Sequence, residues 1–293
     1  MKDEQASATA LLIAAGLVLM DKNPAYAGAV STASADLSAR ILQSYSPASR
    51  RLLKLVRCSW FRRTAAVFER ATIPGILRHY AMRKKCIARL ARDAIRDGIA
   101  QVVILGAGFD TLAMELQREF ADVRFWEIDH PATQRYKESV LNSAVTHEIH
   151  FIATDLSLAG LDKESLKSAS FDPGQKTLWI AEGVLMYFSE RAVLRLLEEI
   201  REISVPGSRV VFTFMERDVK GRVRFRNQTR LADWWLGRRD EPFRWGFETE
   251  NLAEFISPWR VVRVYGNHDL QKLDRANGKK ALAAGELICL AEF

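Results

Sequence analysis

Cysteine is scarce in this 293-residue chain: there are three, Cys58, Cys86 and Cys289, far apart in sequence. No CxxC pair and no Cys/His cluster exists, so no zinc knuckle and no metal site is expected. The odd count fits a reduced, cytoplasmic chain. Long hydrophobic runs are missing too. The apolar stretch 11–20 is too short to cross a bilayer. Ala25-Tyr26-Ala27 follows it like a leader cleavage site, but the chain opens Met-Lys-Asp-Glu and Asp21-Lys22 closes the run early. A buried or amphipathic first helix is therefore expected, not a secretory leader. Internal repeats and low-complexity tracts are absent. What is present is ordinary globular material, 48% hydrophobic and 27% charged. That excludes a disordered or collagen-like chain and leaves one large α/β domain or two small ones.

Acid is missing from one long segment. Between Arg50 and Arg92 there are thirteen Lys/Arg and only Glu69 to oppose them, although the whole chain carries only +7. The rest is therefore net acidic. Such a segment suits an anionic partner or the lip of a functional pocket.

The first ~95 residues show apolar positions at helical spacing, punctuated by Pro24, Pro47 and Pro74. From Gln101 the texture changes. Short apolar runs at 102–105, 123–128, 149–154, 177–181 and 209–214 alternate with helical patterns, the clearest at 189–203. That alternation predicts βαβ units and a mostly parallel sheet. The runs 259–265 and 286–293 read as two further strands, paired antiparallel and joined by a polar loop without a helical pattern.

Ligands of open α/β sheets bind beyond the carboxyl ends of the strands. After the first run stand Gly106-Ala107-Gly108, after the second Asp129-His130-Pro131, after the third Asp155-Leu156, and after the fourth Glu182-Gly183. Each acid alone is as well explained as a helix cap. Four strand ends in succession favour a ligand rim. The third glycine of a dinucleotide fingerprint is replaced by Thr111, which argues against a pyrophosphate. Carboxylates around a glycine turn suit a ligand with hydroxyls, an amine and a positive charge, such as S-adenosylmethionine. Its own carboxylate needs a cation. Arg83 falls on the apolar stripe Tyr80, Ile87, Leu90, Ala94 of a helix over 78–95. The pattern leaves open whether it pairs inward or reaches water past the core.

In these motifs the chain resembles the leucine carboxyl methyltransferase family of class I S-adenosylmethionine-dependent methyltransferases, and most nearly its bacterial polyketide O-methyltransferase branch. The residues that carry the resemblance are 101–116 (QVVILGAGFDTLAMEL), 125–131 (FWEIDHP) with Lys137 after it, Asp155-Leu156, and 177–188 (TLWIAEGVLMYF). The resemblance implies a Rossmann-like sheet of seven strands with the last inserted antiparallel. It implies a helical cap over 1–97 and an S-adenosylmethionine-binding domain over 98–293, with a lid insert at about 216–246. It also implies roles: Gly106, with Ala107 and Gly108, in the turn under the cofactor; Asp129 on the ribose, with Glu127 as a second candidate; Asp155 and Leu156 on the adenine; Glu182 near the methionine part; Arg83 on the methionine carboxylate, with Arg78, Lys84 and Lys85 close enough to compete.

Methyl transfer from a sulfonium is an in-line displacement that demands alignment and exclusion of water. A carboxylate acceptor needs no base, whereas a phenol, ionised about one part in a thousand at pH 7, gains from one. Tyr187, His79, His130 and His268 are the candidate bases, and no motif singles one out. Trp234, Trp235, Phe243 and Trp245 in the insert could cover a planar acceptor or simply glue the insert down. A small-molecule oxygen acceptor is expected, without nucleic acid or membrane. The competing readings are a protein C-terminal carboxyl methyltransferase, a nicotinamide-dependent oxidoreductase and a nucleic-acid methyltransferase.

Overall fold

In a computed structural model, residues 8–141, 149–218, 220–232, 243–274 and 281–293 are described. The described residues begin with five α-helices: α1 (Ala8–Asp21), α2 (Thr32–Tyr45), α3 (Pro47–Val56), α4 (Ser59–Thr72) and α5 (Ile76–Arg96). Ser31 caps α2 by accepting the Ser34 N–H, and Ser46 with Ser49 forms a capping box on α3, with Pro47 as its first residue. The apolar run of the sequence is α1. It buries Ala14, Leu17, Val18, Leu19 and Met20, and so is a packed helix with apolar residues most of the way round.

The sheet then alternates with helices: β1 (Gln101–Leu105), α6 (Leu112–Glu119), β2 (Arg124–Asp129), α7 (Pro131–Val140), β3 (Ile149–Ala153), α8 (Lys163–Ser168), β4 (Thr177–Ala181), α9 (Glu190–Glu202) and β5 (Arg209–Glu216). It closes with β6 (Gly246–Phe247), α10 (Leu252–Phe255), β7 (Arg260–Tyr265), α11 (Asn267–Leu273) and β8 (Glu286–Glu292). The strand order is β3-β2-β1-β4-β5-β8-β7. β1 to β5 run parallel, and β8 inserts antiparallel between β5 and β7. Two details differ from the sequence reading. Among the described residues the sheet has eight strands, because the two-residue β6 adds beside the end of β5. The connection between the last two long strands also contains a helix, α11, too short for its period to show.

Every residue of β1 and β4 is buried, as expected where helices cover both faces of a parallel sheet. Their side chains alternate: Val102 and Ile104 join a cluster with α1, α2 and α5, while Val103 and Leu105 join one with α9 and Trp245. The helical lead-in and one sheet face thus share a single core. From β1 the strand order runs outward one way through β2 and β3 and then the other way through β4 and β5, and this switch opens a crevice at the carboxyl ends of β1 and β4.

Candidate cofactor-binding site

A cavity of about 280 Å³ occupies that crevice, and α1 closes it from above through Ala10, Ile13 and Leu17. Its wall contains Arg83, Gly106, Ala107, Gly108, Asp129, Asp155, Leu156, Glu182 and Tyr187, residues from five separate stretches of sequence.

The floor is the turn after β1. Gly106 has φ +65°, and a Cβ there would stand 2.5 Å from Val184. Only glycine fits both the dihedral and the space. Gly108 has φ +53° and donates its N–H to Asp129 Oδ2. Asp129 Oδ1 accepts the His130 N–H at 2.5 Å. Burial raises the Asp129 carboxyl above its ordinary value, opposed by these two backbone bonds. Asp129 therefore shapes the turn as well as facing the cavity. Asp155 is steadied by the Ser157 N–H at 3.0 Å and hydroxyl at 2.6 Å. His130 Nε2 lies 3.9 Å from its other oxygen.

At the opposite end the charges form a chain. Arg83 Nε donates to Glu182 Oε1 at 2.9 Å, and Nη1 donates to both oxygens of Glu286 at 2.7 and 2.9 Å. Lys84 Nζ lies 2.9 Å from Asp110 Oδ1 and 3.6 Å from Glu182 Oε1. Burial alone would raise the Glu286 carboxyl, but Arg83 and His79 overcome it and hold it at about 2. Burial would likewise raise the Asp110 carboxyl, and Lys84 brings it down. The guanidinium lies against Gly183, where a Cβ would come within 3.1 Å of Nη2. Arg83 is only 3% exposed, so the choice the sequence left open resolves to inward pairing.

Other candidates fall elsewhere. His79 does not border the cavity; it is buried, and its Nε2 bonds Glu286 Oε2 at 2.8 Å. His268 is exposed on α11. Glu127 lies inside the sheet, fully buried, with Lys137 Nζ 2.5 Å from its Oε2, and is not among the residues that border the cavity. Tyr187 does reach the cavity, and its ring packs 5.6 Å from Phe243. Trp245 is buried beside Phe214, Phe247 and Phe255, and therefore glues the insert to the sheet. Trp234 and Trp235 lie outside the described residues. Sequence reasoning missed Glu286. It stands 203 residues from Arg83, and only an acid opening the last strand ahead of an apolar run could have hinted at it.

The donor set fits a ligand with hydroxyls, an amine and a carboxylate. It offers carboxylates, a glycine turn with room above Gly108, where a Cβ would meet only Ala10 at 3.7 Å, and the cations Arg83, Lys84 and Arg244. It has no glycine-lined cradle for a pyrophosphate.

Comparison with known proteins agrees. The family model for leucine carboxyl methyltransferase matches residues 25–201. The chain belongs to the leucine carboxyl methyltransferase family. A Parafrankia protein named as an S-adenosyl-L-methionine-dependent methyltransferase is 36% identical over 131 residues, which is 44% of this chain and 40% of that protein. A relative so named from Mycolicibacterium smegmatis is 36% identical over 142 residues, 47% of each. The matches therefore span less than half the length of these relatives. Among solved structures, a DUF574 family protein from Streptomyces avermitilis aligns with TM-score 0.57 and 16% identity, over 87% of this chain and 96% of that one. A Thermobifida fusca protein named as a methyltransferase aligns with TM-score 0.56 and 19% identity, over 87% and 93%. At such identities these two establish the fold alone.

Proposed function

We propose that the chain binds S-adenosylmethionine in the strand-end cavity and transfers its methyl group to an oxygen of a small-molecule acceptor, leaving S-adenosylhomocysteine. The observation that carries this reading is the convergence of Gly106, Asp129, Asp155, Glu182 and Arg83 on one cavity roofed by α1. In this reading Asp129 takes the ribose hydroxyls, Asp155 and Leu156 the adenine, Glu182 the ammonium and Arg83 the carboxylate. The sulfonium supplies an electrophilic methyl group, so the chain's task is to align the acceptor oxygen and exclude water. Helix α1 and Tyr187 border the space in which that alignment takes place. The division into a cap over 1–97 and a methyltransferase unit over 98–293, and a cytoplasmic location, belong to the same proposal. Three free thiols support the location.

Titration calorimetry with S-adenosylhomocysteine tests the site. Asp129→Ala and Glu182→Ala each remove a charge-assisted hydrogen bond and should weaken binding by about tenfold or more, with the circular dichroism spectrum kept. Unchanged affinity in both variants would sink the assignment.

A further inference from the structure

The basic segment that stood out in the sequence divides in two, and only its α5 part serves the cavity. The remainder, α3 and α4, carries seven Lys/Arg between residues 50 and 70 against Glu69 alone. Glu69 is spent inward, accepting from the Tyr26 hydroxyl and the Leu77 N–H, both at 3.2 Å. Arg50, Arg51, Lys54, Arg57, Arg63 and Arg70 are exposed and stand in no salt bridge among the described residues.

Helix α4 is also turned the unusual way round. A helix that only packs on a core sends its apolar stripe inward. The inner side of α4 offers Phe61 and Ala65, partly buried against the core, beside Glu69 and the buried Thr72. Its outer side carries Trp60, Thr64, Val67 and Ala71, at helical spacings of four, three and four residues. Trp60 is 57% exposed and Val67 63%, with Phe68 at 48% along one edge of this stripe and Arg63 and Arg70 along the other. The more apolar face of α4 thus looks into water, bordered by arginines.

We propose that the α3–α4 surface docks on an anionic phospholipid bilayer, with α4 lying in the plane of the headgroups. The cations favour an anionic partner. The apolar stripe separates the possible partners. A tryptophan suits the headgroup boundary, and Val67 suits the acyl region beneath it. Val67 and Ala71 would gain nothing from a phosphate backbone, which leaves a nucleic acid without a use for the stripe. Attachment of this kind is peripheral. Among the described residues no helix is long and apolar enough to cross a membrane.

The test is co-sedimentation of the full chain with vesicles of phosphatidylglycerol and phosphatidylcholine, against vesicles of phosphatidylcholine alone. Binding to the anionic vesicles only, weakened by salt, is expected. A Trp60→Glu/Val67→Glu double variant alters exposed positions, so it should keep its thermal unfolding and its S-adenosylhomocysteine affinity. Its vesicle binding should fall by about tenfold or more, since two apolar anchors are lost and two like charges face the lipid. No binding by the unaltered chain at low salt would overturn the proposal, as would equal binding by the double variant. So would tight binding of a DNA or RNA oligonucleotide that displaces the vesicles, or a dimer in solution that only the double variant breaks.

Discussion

Arg83 and Arg63 belong to the same basic segment, yet their surroundings are opposite. Arg83 is 3% exposed and holds two carboxylates, Glu182 and Glu286. Arg63 is exposed and holds none among the described residues. Helix position makes the difference. Arg83 stands three residues after Tyr80 and four before Ile87, on the stripe that α5 turns toward the sheet. Arg63 borders a stripe that α4 turns away from it. Charge of one sign along a sequence therefore marks two physical objects: an inward cation that must be paired, and outward cations free to meet something else.

The comparison breaks first at Arg83, where the largest effect is expected. Arg83→Ala leaves Glu182 and Glu286 without their shared cation, and removing one partner of a buried pair costs about 3–5 kcal/mol. Thermal or urea unfolding should show that loss, and S-adenosylhomocysteine should no longer stabilise the protein. A variant as stable as the original would mean that the buried chain of charges does not hold the site together.

Acid sharpens the same contrast. The Glu286 carboxyl is held at about 2 in the folded protein, below its ordinary value of about 4.3 when unfolded. As pH falls the unfolded chain takes up this proton first, so the carboxyl's contribution is complete above about pH 5. It is lost as pH drops through its folded value near 2. A shift of this size corresponds to about 3 kcal/mol. In urea titrations at successive pH values, Glu286→Gln should be less stable at neutral pH and should lose the part of the acid slope that Glu286 supplies. An unchanged slope would show that Glu286 titrates normally.

These two residues also show what could be read in the sequence. The strand ends were legible because a parallel sheet puts its ligand there, so Gly106, Asp129, Asp155 and Glu182 could be picked out with no contact known. Arg83 was half legible: its place on the stripe showed, its partners did not. Glu286 was invisible because its partner reaches it only when β8 inserts beside β5. Glu127 misled for a related reason. It shares the parity of Asp129 but sits two residues deeper in β2, where Lys137 claims it. Parity fixes the face of a strand and leaves open whether a side chain ends in the cavity or beneath it.

The smallest effect is expected on the outward side, and it completes the contrast. Arg63→Ala and Arg70→Ala remove charges that make no salt bridge among the described residues, and surface changes of this kind stay within about 0.5 kcal/mol. Replacing an exposed arginine with alanine also raises helix propensity slightly, so a small gain in melting temperature is as acceptable as no change. Affinity for S-adenosylhomocysteine should stay at the original value, since neither residue borders the cavity. A loss of more than about 1 kcal/mol from either change would place these arginines in the fold's own support. The division of the basic segment into an inward and an outward part would then fail on its outward side.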